Sequence, residues 1–364
     1  MSAVSLLDHL RRRVAAEGPL SLPEVMADTL THPRFGYYAT RDPFGAGGDF
    51  VTAPEVSQMF GELIGLWAAV VWQQMGSPGW VHLVELGPGR GTLMADALRA
   101  TRPVPGFHTA LEIHLVEASR TLREIQGRVL SDYSPTWHDD VSHLPDGPAI
   151  VIANEFFDAL PIAQLQRTGA GWHERRLAFD PESGAPIWTL TPGMSPLAAL
   201  VNPRILATAR PGDIAEVSPA SLSVADVLAK RIVGQGGAAL VIDYGHARSG
   251  VGDTLQAVQA HRPVDVLATL GEADLTAHVD FAALAQVVKQ AGGAAHGPTT
   301  QGAFLSALGI VQRAQALMAK ATPEQARDIE AATVRLIGPD EMGTLFKVAA
   351  WTGPMDAPPP GFEA

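Results

Sequence analysis

The feature that most constrains this chain is a short apolar run, Val81 to Leu86, that ends in Gly87-Pro88-Gly89-Arg90-Gly91-Thr92 and continues as a helical pattern through Leu98. Glycines at alternate positions let the backbone turn sharply and let a ligand come close to it. A strand that ends this way belongs in an open parallel sheet, where ligands sit beyond the carboxyl ends of the strands. The spacing is Gly-x-Gly-x-Gly, not the Gly-x-Gly-x-x-Gly of dinucleotide enzymes. Glu85, just before the turn, sharpens the contrast. A helix N-terminus that faces a pyrophosphate has no use for a neighbouring anion, which would repel it. An acid there suits a ligand with a cationic end. The amino-acid part of S-adenosyl-L-methionine, with its ammonium group and cationic sulfur, is such a ligand. Glu85, Gly87, Gly89 and Gly91 are therefore assigned to the cofactor.

The alternation of strand and helix continues downstream. Ile113 to Val116 reads as a second strand, followed by a helix capped by Ser119. Thr136 to His138 reads as a third strand, Ala149 to Ala153 as a fourth, Ala238 to Ile242 as a fifth and Thr344 to Trp351 as a final one. This order implies a parallel sheet with helices on both faces. Glu117 ends the second strand, where a carboxylate can accept both hydroxyls of an adenosine ribose. Asp139 and Asp140 follow the third, and either can accept from an adenine amino group. The fourth strand runs into Asn154-Glu155-Phe156-Phe157-Asp158-Ala159-Leu160-Pro161. Asn154 is placed on the cofactor side. Glu155 and Asp158 can hold a guanidinium through paired charged hydrogen bonds and orient one nitrogen. Phe156 can exclude water or stack on a substrate, while Leu160 reads as packing. Tyr244 and His246 close the fifth strand, with Tyr244 taken as a lining residue of the acceptor pocket.

The flanking segments are less regular. The first 75 residues read as helical, with Leu6, Leu7, Leu10 and Val14 forming one face and Arg11-Arg12-Arg13 the other. Ser21-x-x-Glu24 predicts a capping box for a short helix ending near Leu30. Thr31 to Pro54 breaks all periodicity and reads as a loop. Thr52-x-x-Glu55 predicts a second capping box before a helix that carries Met59, Phe60, Leu63, Ile64, Trp67, Val70 and Val71 and stops at Gly76. The expected organisation is an N-terminal helical segment over 1–78, a main domain over 79–354 with insertions at about 165–217 and 245–280, and a disordered tail over 355–364. The first insertion is expected to be β-rich.

Composition removes several function classes. A net charge of −12 argues against a nucleic-acid binder. With no cysteine among 364 residues, disulfides and thiolate chemistry are excluded. The 12 histidines show no His-Glu-x-x-His spacing, so no metal is expected. No apolar run reaches the length of a membrane span. The N-terminus lacks the pattern of a secretory leader, and Arg11-Arg12-Arg13 reads as a helix face and not as a transit peptide, so a cytoplasmic location is the expectation.

Several blocks together resemble the MidA-like methyltransferases. They are His32-Pro33-Arg34-Phe35-Gly36-Tyr37-Tyr38, Gly48-Asp49-Phe50-Val51-Thr52-Ala53-Pro54-Glu55-Val56-Ser57 and Phe60-Gly61-Glu62. Glu85 to Gly91, Val116-Glu117, Glu155 to Pro161, Asp243-Tyr244-Gly245 and Leu345-Phe346-Lys347-Val348 follow in order. The resemblance implies a Rossmann-like class I α/β fold with a seven-stranded, mostly parallel sheet and inserted substrate-recognition segments. It implies S-adenosyl-L-methionine as cofactor and a loop around Asp49 and Thr52 that folds over cofactor or substrate. That family includes mitochondrial assembly factors of respiratory complex I, protein arginine methyltransferases that symmetrically dimethylate a core subunit. A protein substrate of that kind is the implied partner. A cofactor-binding chaperone without catalysis and a small-molecule methyltransferase are the alternatives. Monomer and homodimer remain equally open.

Overall fold

The computed structural model describes residues 5–32, 34–36, 52–259 and 262–363. The chain folds into two compact units. One comprises the described residues of 1–50, 158–223 and 248–283, the other 52–157, 224–247 and 284–363.

The second unit is built on a sheet of β1 (Val81–Leu86), β2 (Leu111–Val116), β3 (Thr136–His138), β4 (Ala149–Asn154), β5 (Gly237–His246), β6 (Ala294–Thr300) and β7 (Phe346–Thr352). Their spatial order is β6-β7-β5-β4-β1-β2-β3. All neighbours from β5 to β3 are parallel, and β7 runs antiparallel between β5 and β6. Every residue of β1 and of β4 is buried. This is why β4 reads as a continuous apolar run, whereas β1 holds His82 and Glu85 buried among apolar residues. The β6 strand carries Gly297 and Pro298, and its register with β7 shifts between His296 and Thr299. Proline is tolerated only at an edge or a bulge, and this strand is both, so nothing in its composition announces it.

Four helices of this unit position the site: α1 (Gln58–Gln74), α2 (Thr92–Thr101), α3 (Arg120–Val129) and α4 (Pro219–Gln235). The α1 helix carries Met59, Phe60, Leu63, Ile64, Trp67 and Trp72 into the core. Its Gly61 and Gly65 lie one turn apart against α2. A Cβ on Gly61 would stand 2.7 Å from Asp96 Cβ, and one on Gly65 only 2.5 Å from Ala97 Cα and 2.6 Å from Ala97 O. The two backbones are in contact there because no side chain intervenes. Glu62, between them and 3% exposed, accepts from Arg99 Nη1 at 2.8 Å and from Arg313 Nε and Nη2 at 2.7 and 3.0 Å. Burial alone would raise the Glu62 carboxyl, but the two guanidinium groups hold it below its ordinary range.

The Ser21 capping box forms as read, with Glu24 Oε2 accepting the Ser21 amide at 2.9 Å. The Thr52 box does not. Thr52 caps only a single turn, Ala53–Val56, without a side-chain bond, and an extended Ser57 interrupts the helix before α1 begins. Glu55 instead accepts the Thr92 hydroxyl at 2.6 Å. The C-terminal segment is also corrected. Instead of being disordered, it docks. Trp67 Nε1 donates to Pro360 O and Gln74 Nε2 to Pro358 O, both at 3.2 Å, and the Phe362 ring lies 5.5 Å from Phe304. Proline carbonyls are acceptors with no amide of their own nearby, which makes an extended proline run a ready partner for buried donors.

The first unit pairs helices Leu6–Glu17 and Leu22–Thr31 with an antiparallel sheet ordered Leu20–Ser21, Gly171–Phe179, Ala163–Thr168, Ile214–Val217, plus Pro186–Leu190 on Gly171–Phe179. Strands Gln256–Gln259, Arg262–Val264 and Asp274–Thr276 form a smaller sheet. The expected N-terminal segment 1–78 is thus divided, because α1 buries its apolar surface in the second unit's core.

The α1–α2 crossing gives a stability prediction. Gly65→Ala gains about 1 kcal/mol of helix propensity yet forces two backbones apart. A net loss of about 2 kcal/mol is expected in urea denaturation. An unchanged or raised midpoint would show that the crossing has slack.

Candidate cofactor and active site

The turn after β1 takes the conformation its glycines permit. Gly87, Gly89 and Gly91 have φ of +59°, +53° and +85°. Side-chain-bearing residues rarely adopt such angles. A Cβ on Gly87 would also lie 3.1 Å from Phe156 Cδ2. The Gly87 amide donates to Val116 O at 2.9 Å and the Gly91 amide to Pro88 O at 2.8 Å. The turn is thereby tied to the end of β2 and delivers the chain into α2.

Glu85 lies beneath this turn and is 3% exposed. The Met94 amide, in the first turn of α2, donates to its carboxylate, while Glu85 Oε2 has no partner among the described residues. Burial pushes the Glu85 carboxyl up to about 8, against the opposing effect of the Met94 amide. Asn154, at the end of the neighbouring β4 and 8% exposed, likewise has its Oδ1 unpartnered among the described residues. Glu85 pairs with Ile152 in register, so Glu85 and Asn154 share one face of the sheet. Two buried acceptors without donors, at the carboxyl ends of adjacent strands, match a ligand that brings N–H donors and positive charge.

Glu117 follows β2. Its Oε1 accepts the Ser119 amide at 2.8 Å and its Oε2 accepts Gln126 Nε2 at 3.2 Å. Burial raises its carboxyl above the ordinary value, opposed by these donors. Gln126 is the residue that sequence reading missed. Fully buried on α3, it also donates Nε2 to Gly89 O at 2.7 Å and accepts Trp137 Nε1 at 2.8 Å. It joins the glycine turn, Glu117 and β3 in one network. The amphipathic period of α3 pointed to an inward position at 126, but a lone buried glutamine has no motif.

The remaining candidates are placed as follows. Asp139, 76% exposed at its side chain, pairs with Arg123 Nη2 at 2.5 Å. Asp140 is a cap, accepting the Ser142 amide and hydroxyl at 2.8 and 2.6 Å. Glu155 takes a left-handed φ of +51°, one of three such non-glycine residues described. Strain of this kind costs on the order of 1–3 kcal/mol and concentrates at functional sites. The Glu155 amide donates to Ile242 O at 2.9 Å, and its Oε1 accepts the Ala53 amide at 3.3 Å and Asn154 Nδ2 at 3.2 Å. Phe156 and Phe157 meet edge to face at 5.4 Å. Phe157 is core, packed on Trp351 at 5.9 Å. Its amide donates to Asp243 Oδ2 at 2.9 Å, and Asp243 Oδ1 accepts the Tyr244 amide. Asp243, fully buried, thus latches the segment after β4 to the end of β5.

Tyr244 is 8% exposed and packs edge to face on Phe346 at 5.6 Å, within the main core. One side of its ring is thus occupied by packing. Thr52 sits at the start of the turn whose Ala53 amide reaches Glu155. Asp158 is buried and belongs to the other unit, where its carbonyl accepts the Ala277 amide at 3.1 Å. Asp49 lies outside the described residues.

Known proteins of the same kind share this architecture. A family model described as "Putative S-adenosyl-L-methionine-dependent methyltransferase" matches residues 63–299. The mitochondrial protein arginine methyltransferase NDUFAF7 of Danio rerio is 38% identical, over 94% of this chain and 86% of its own length. The Homo sapiens protein of the same name is 36% identical, over 95% and 82%. A COG1565 superfamily member from Burkholderia thailandensis, solved bound to S-adenosyl-homocysteine, superposes with a TM-score of 0.83 at 28% identity, covering 98% of this chain and 94% of that one. These relatives overturn one expectation. The curated proteins are named as mitochondrial, which points there and not to the cytoplasm. Location depends on an address that the packing of a fold does not encode.

The buried Glu85 yields a pH prediction. Its folded value lies above that of an unfolded glutamate. Between about pH 4.5 and about pH 8 the unfolded chain therefore releases a proton that the folded chain keeps. Its contribution to stability is full below that window and is lost as pH rises through it. Unfolding free energies of ligand-free wild type and Glu85→Gln from urea denaturation should diverge by a few kcal/mol (on the order of 3) from pH 5 to pH 8.5, wild type losing more. Parallel profiles would mean that Glu85 ionises as if exposed.

Proposed function

The chain belongs to the S-adenosyl-L-methionine-dependent methyltransferase family, and on that premise we propose that it is a protein arginine N-methyltransferase that forms symmetric dimethylarginine on a core subunit of respiratory complex I. The observation that carries the reading is Glu155, a carboxylate held by two donors on a strained backbone at the carboxyl end of β4. The names of the relatives supply the arginine. The MidA-like resemblance supplies the complex I subunit as target.

The bound donor supplies an electrophilic methyl carbon on a cationic sulfur. Everything else falls to the chain. The Gly87–Gly91 turn admits a ligand close to its backbone, and Glu85 Oε2 and Asn154 Oδ1 accept from an ammonium group. Glu117 retains lone pairs for the ribose hydroxyls beyond those used by Ser119 and Gln126. Asp140 is committed to its cap, which leaves Asp139, steadied by Arg123, as the adenine candidate. Phe156 closes over Gly87 and excludes water there.

Glu155 then acts on the substrate. A carboxylate matches two N–H groups of a guanidinium and fixes its plane. It also draws positive charge toward the nitrogens it touches, so that the remaining nitrogen keeps more lone-pair density for attack. The rate gain comes from alignment of that nitrogen with the methyl carbon. Asp158 is the second candidate carboxylate, and Asp49 and Thr52 are candidate contacts of the segment preceding α1.

Two variants test this assignment. Gly87→Val should abolish S-adenosyl-L-methionine binding in calorimetry while circular dichroism stays native. Glu155→Gln should keep donor affinity within about twofold and lower turnover by about a hundredfold. Full turnover in that variant removes Glu155 from the reaction. The assay is mass spectrometry of mitochondrial extract incubated with labelled donor. Symmetric dimethylarginine on a complex I subunit is the expected product. Label in small molecules alone, or no label, would replace the proposal with one of the two alternatives.

A further inference from the structure

Two clusters among the described residues bring histidine nitrogens and a carboxylate within ligand distance of one another. They are His9–Asp28–His32 and His82–Glu112–His114. In the first, Asp28 Oδ2 already accepts Arg13 Nη1 at 2.9 Å, and His32 Nδ1 accepts the Arg34 amide at 3.1 Å. Its charge and its lone pair are both taken. The second cluster differs on each count.

His82 lies on β1 and Glu112 and His114 on β2. His82 pairs with Glu112 in register, and His114 is two residues further along the same face. Glu85 is an odd number of residues from His82, so this face is the opposite one from the Glu85 pocket. The three candidate atoms are His82 Nδ1, His114 Nε2 and Glu112 Oε2. They are separated by 2.9 Å between the nitrogens, and by 3.3 and 3.9 Å from each nitrogen to the oxygen. A tetrahedral zinc site with bonds of about 2.0–2.1 Å has edges of about 3.3 Å. The triangle therefore has the size of one tetrahedral face.

The hydrogen bond behind the His82 ring fixes which of its lone pairs points inward. His82 Nε2 is 3.0 Å from Asp146 O, a carbonyl that can only accept. The proton of a neutral His82 is thus on Nε2, and the Nδ1 lone pair faces Glu112 Oε2 at 3.3 Å. In the metal-free protein that lone pair accepts the Nε2 proton of His114, 2.9 Å away, and a metal ion would take the place of that proton. The loop that supplies Asp146 O is itself fixed. Arg231 of α4 donates to Leu144 O, Pro145 O and Gly147 O, and Gln235 bonds Asp146 Oδ1 and the Gly147 amide. On the other side, His114 Nδ1 stands 3.0 Å from His138 Nε2. Each ring thus has an outer partner, as metal-ligating histidines regularly do. Both histidines are buried, while the Glu112 side chain is 58% exposed and leaves an approach for the ion and for a water as fourth ligand.

We propose that His82 Nδ1, His114 Nε2 and the Glu112 carboxylate bind one divalent transition-metal ion of the zinc type on the face of the sheet opposite the cofactor pocket. The ion would also set a direction in the ring chain. With a metal on His114 Nε2, its proton moves to Nδ1 and is donated to His138, whose carbonyl accepts the Glu117 amide at 3.0 Å. The proposal reverses the expectation that no metal belongs here and is independent of the methyl-transfer reading.

The test is titration of chelator-treated full-length protein with Zn²⁺ by calorimetry and with Co²⁺ by visible absorption. One equivalent should bind, with the intense absorption of tetrahedral Co²⁺. Glu112→Gln, at an exposed position that leaves folding intact, should weaken Zn²⁺ binding by about tenfold or more. His114→Gln should abolish it if folded, and Asp28→Asn should leave it unchanged. Absence of stoichiometric binding by wild type, or equal binding by Glu112→Gln, or loss in Asp28→Asn, overturns the proposal.

Discussion

A carboxylate buried beneath a glycine turn is the constraint on which the site depends. Among the described residues Glu85 has the Met94 amide as donor, and burial holds its proton to about pH 8. Such a group is costly in a ligand-free protein, because desolvation is met by too few hydrogen bonds. It can persist only where packing leaves it no alternative. The fully buried β1 strand, the first turn of α2 and the backbone contact of α1 with α2 supply that packing. On the proposed reading a cationic ligand would relieve that cost on binding, so that stability withheld from the free protein would be returned as affinity.

Much of the sheet was legible because β4, most of β5 and four of the six residues of β1 are apolar and bounded by turn residues, a pattern dictated by burial on both faces. The placement of Glu85, Glu117 and Glu155 at strand ends was legible for a related reason, and in open sheets such ends are where ligands collect. The β6 strand was hidden by Gly297 and Pro298, which an edge position tolerates. The Thr52 box failed because Glu55 has a nearer donor in Thr92, brought in by tertiary structure. Local spacing cannot anticipate such a competitor.

Gln126 and the histidine cluster show a deeper limit. The three strands carrying His82, His114 and His138 are separated in sequence by whole helices, and only their register puts the rings on one face. The twelve histidines therefore looked scattered. Tyr244 illustrates the converse. Its place at the end of a strand suggests a pocket, and the fold adds a packing contact with Phe346 that the strand pattern does not announce. Position along a strand predicts which residues can reach a ligand, whereas the neighbours on that face decide which ones do.

The antiparallel strand β7 has a consequence for how the molecule is made. It follows every other strand of the sheet in sequence, but it lies inside the sheet, between β5 and β6. While residues 346–352 are still in the ribosomal tunnel, β5 lacks its long antiparallel partner and β6 has nothing to join. That side of the sheet waits for β7 to emerge, and the docking of Pro358 and Pro360 on Gln74 and Trp67 comes later still. A nascent chain stalled before this strand would thus expose a bare strand edge, a natural handle for chaperones and proteases that inspect unfinished proteins.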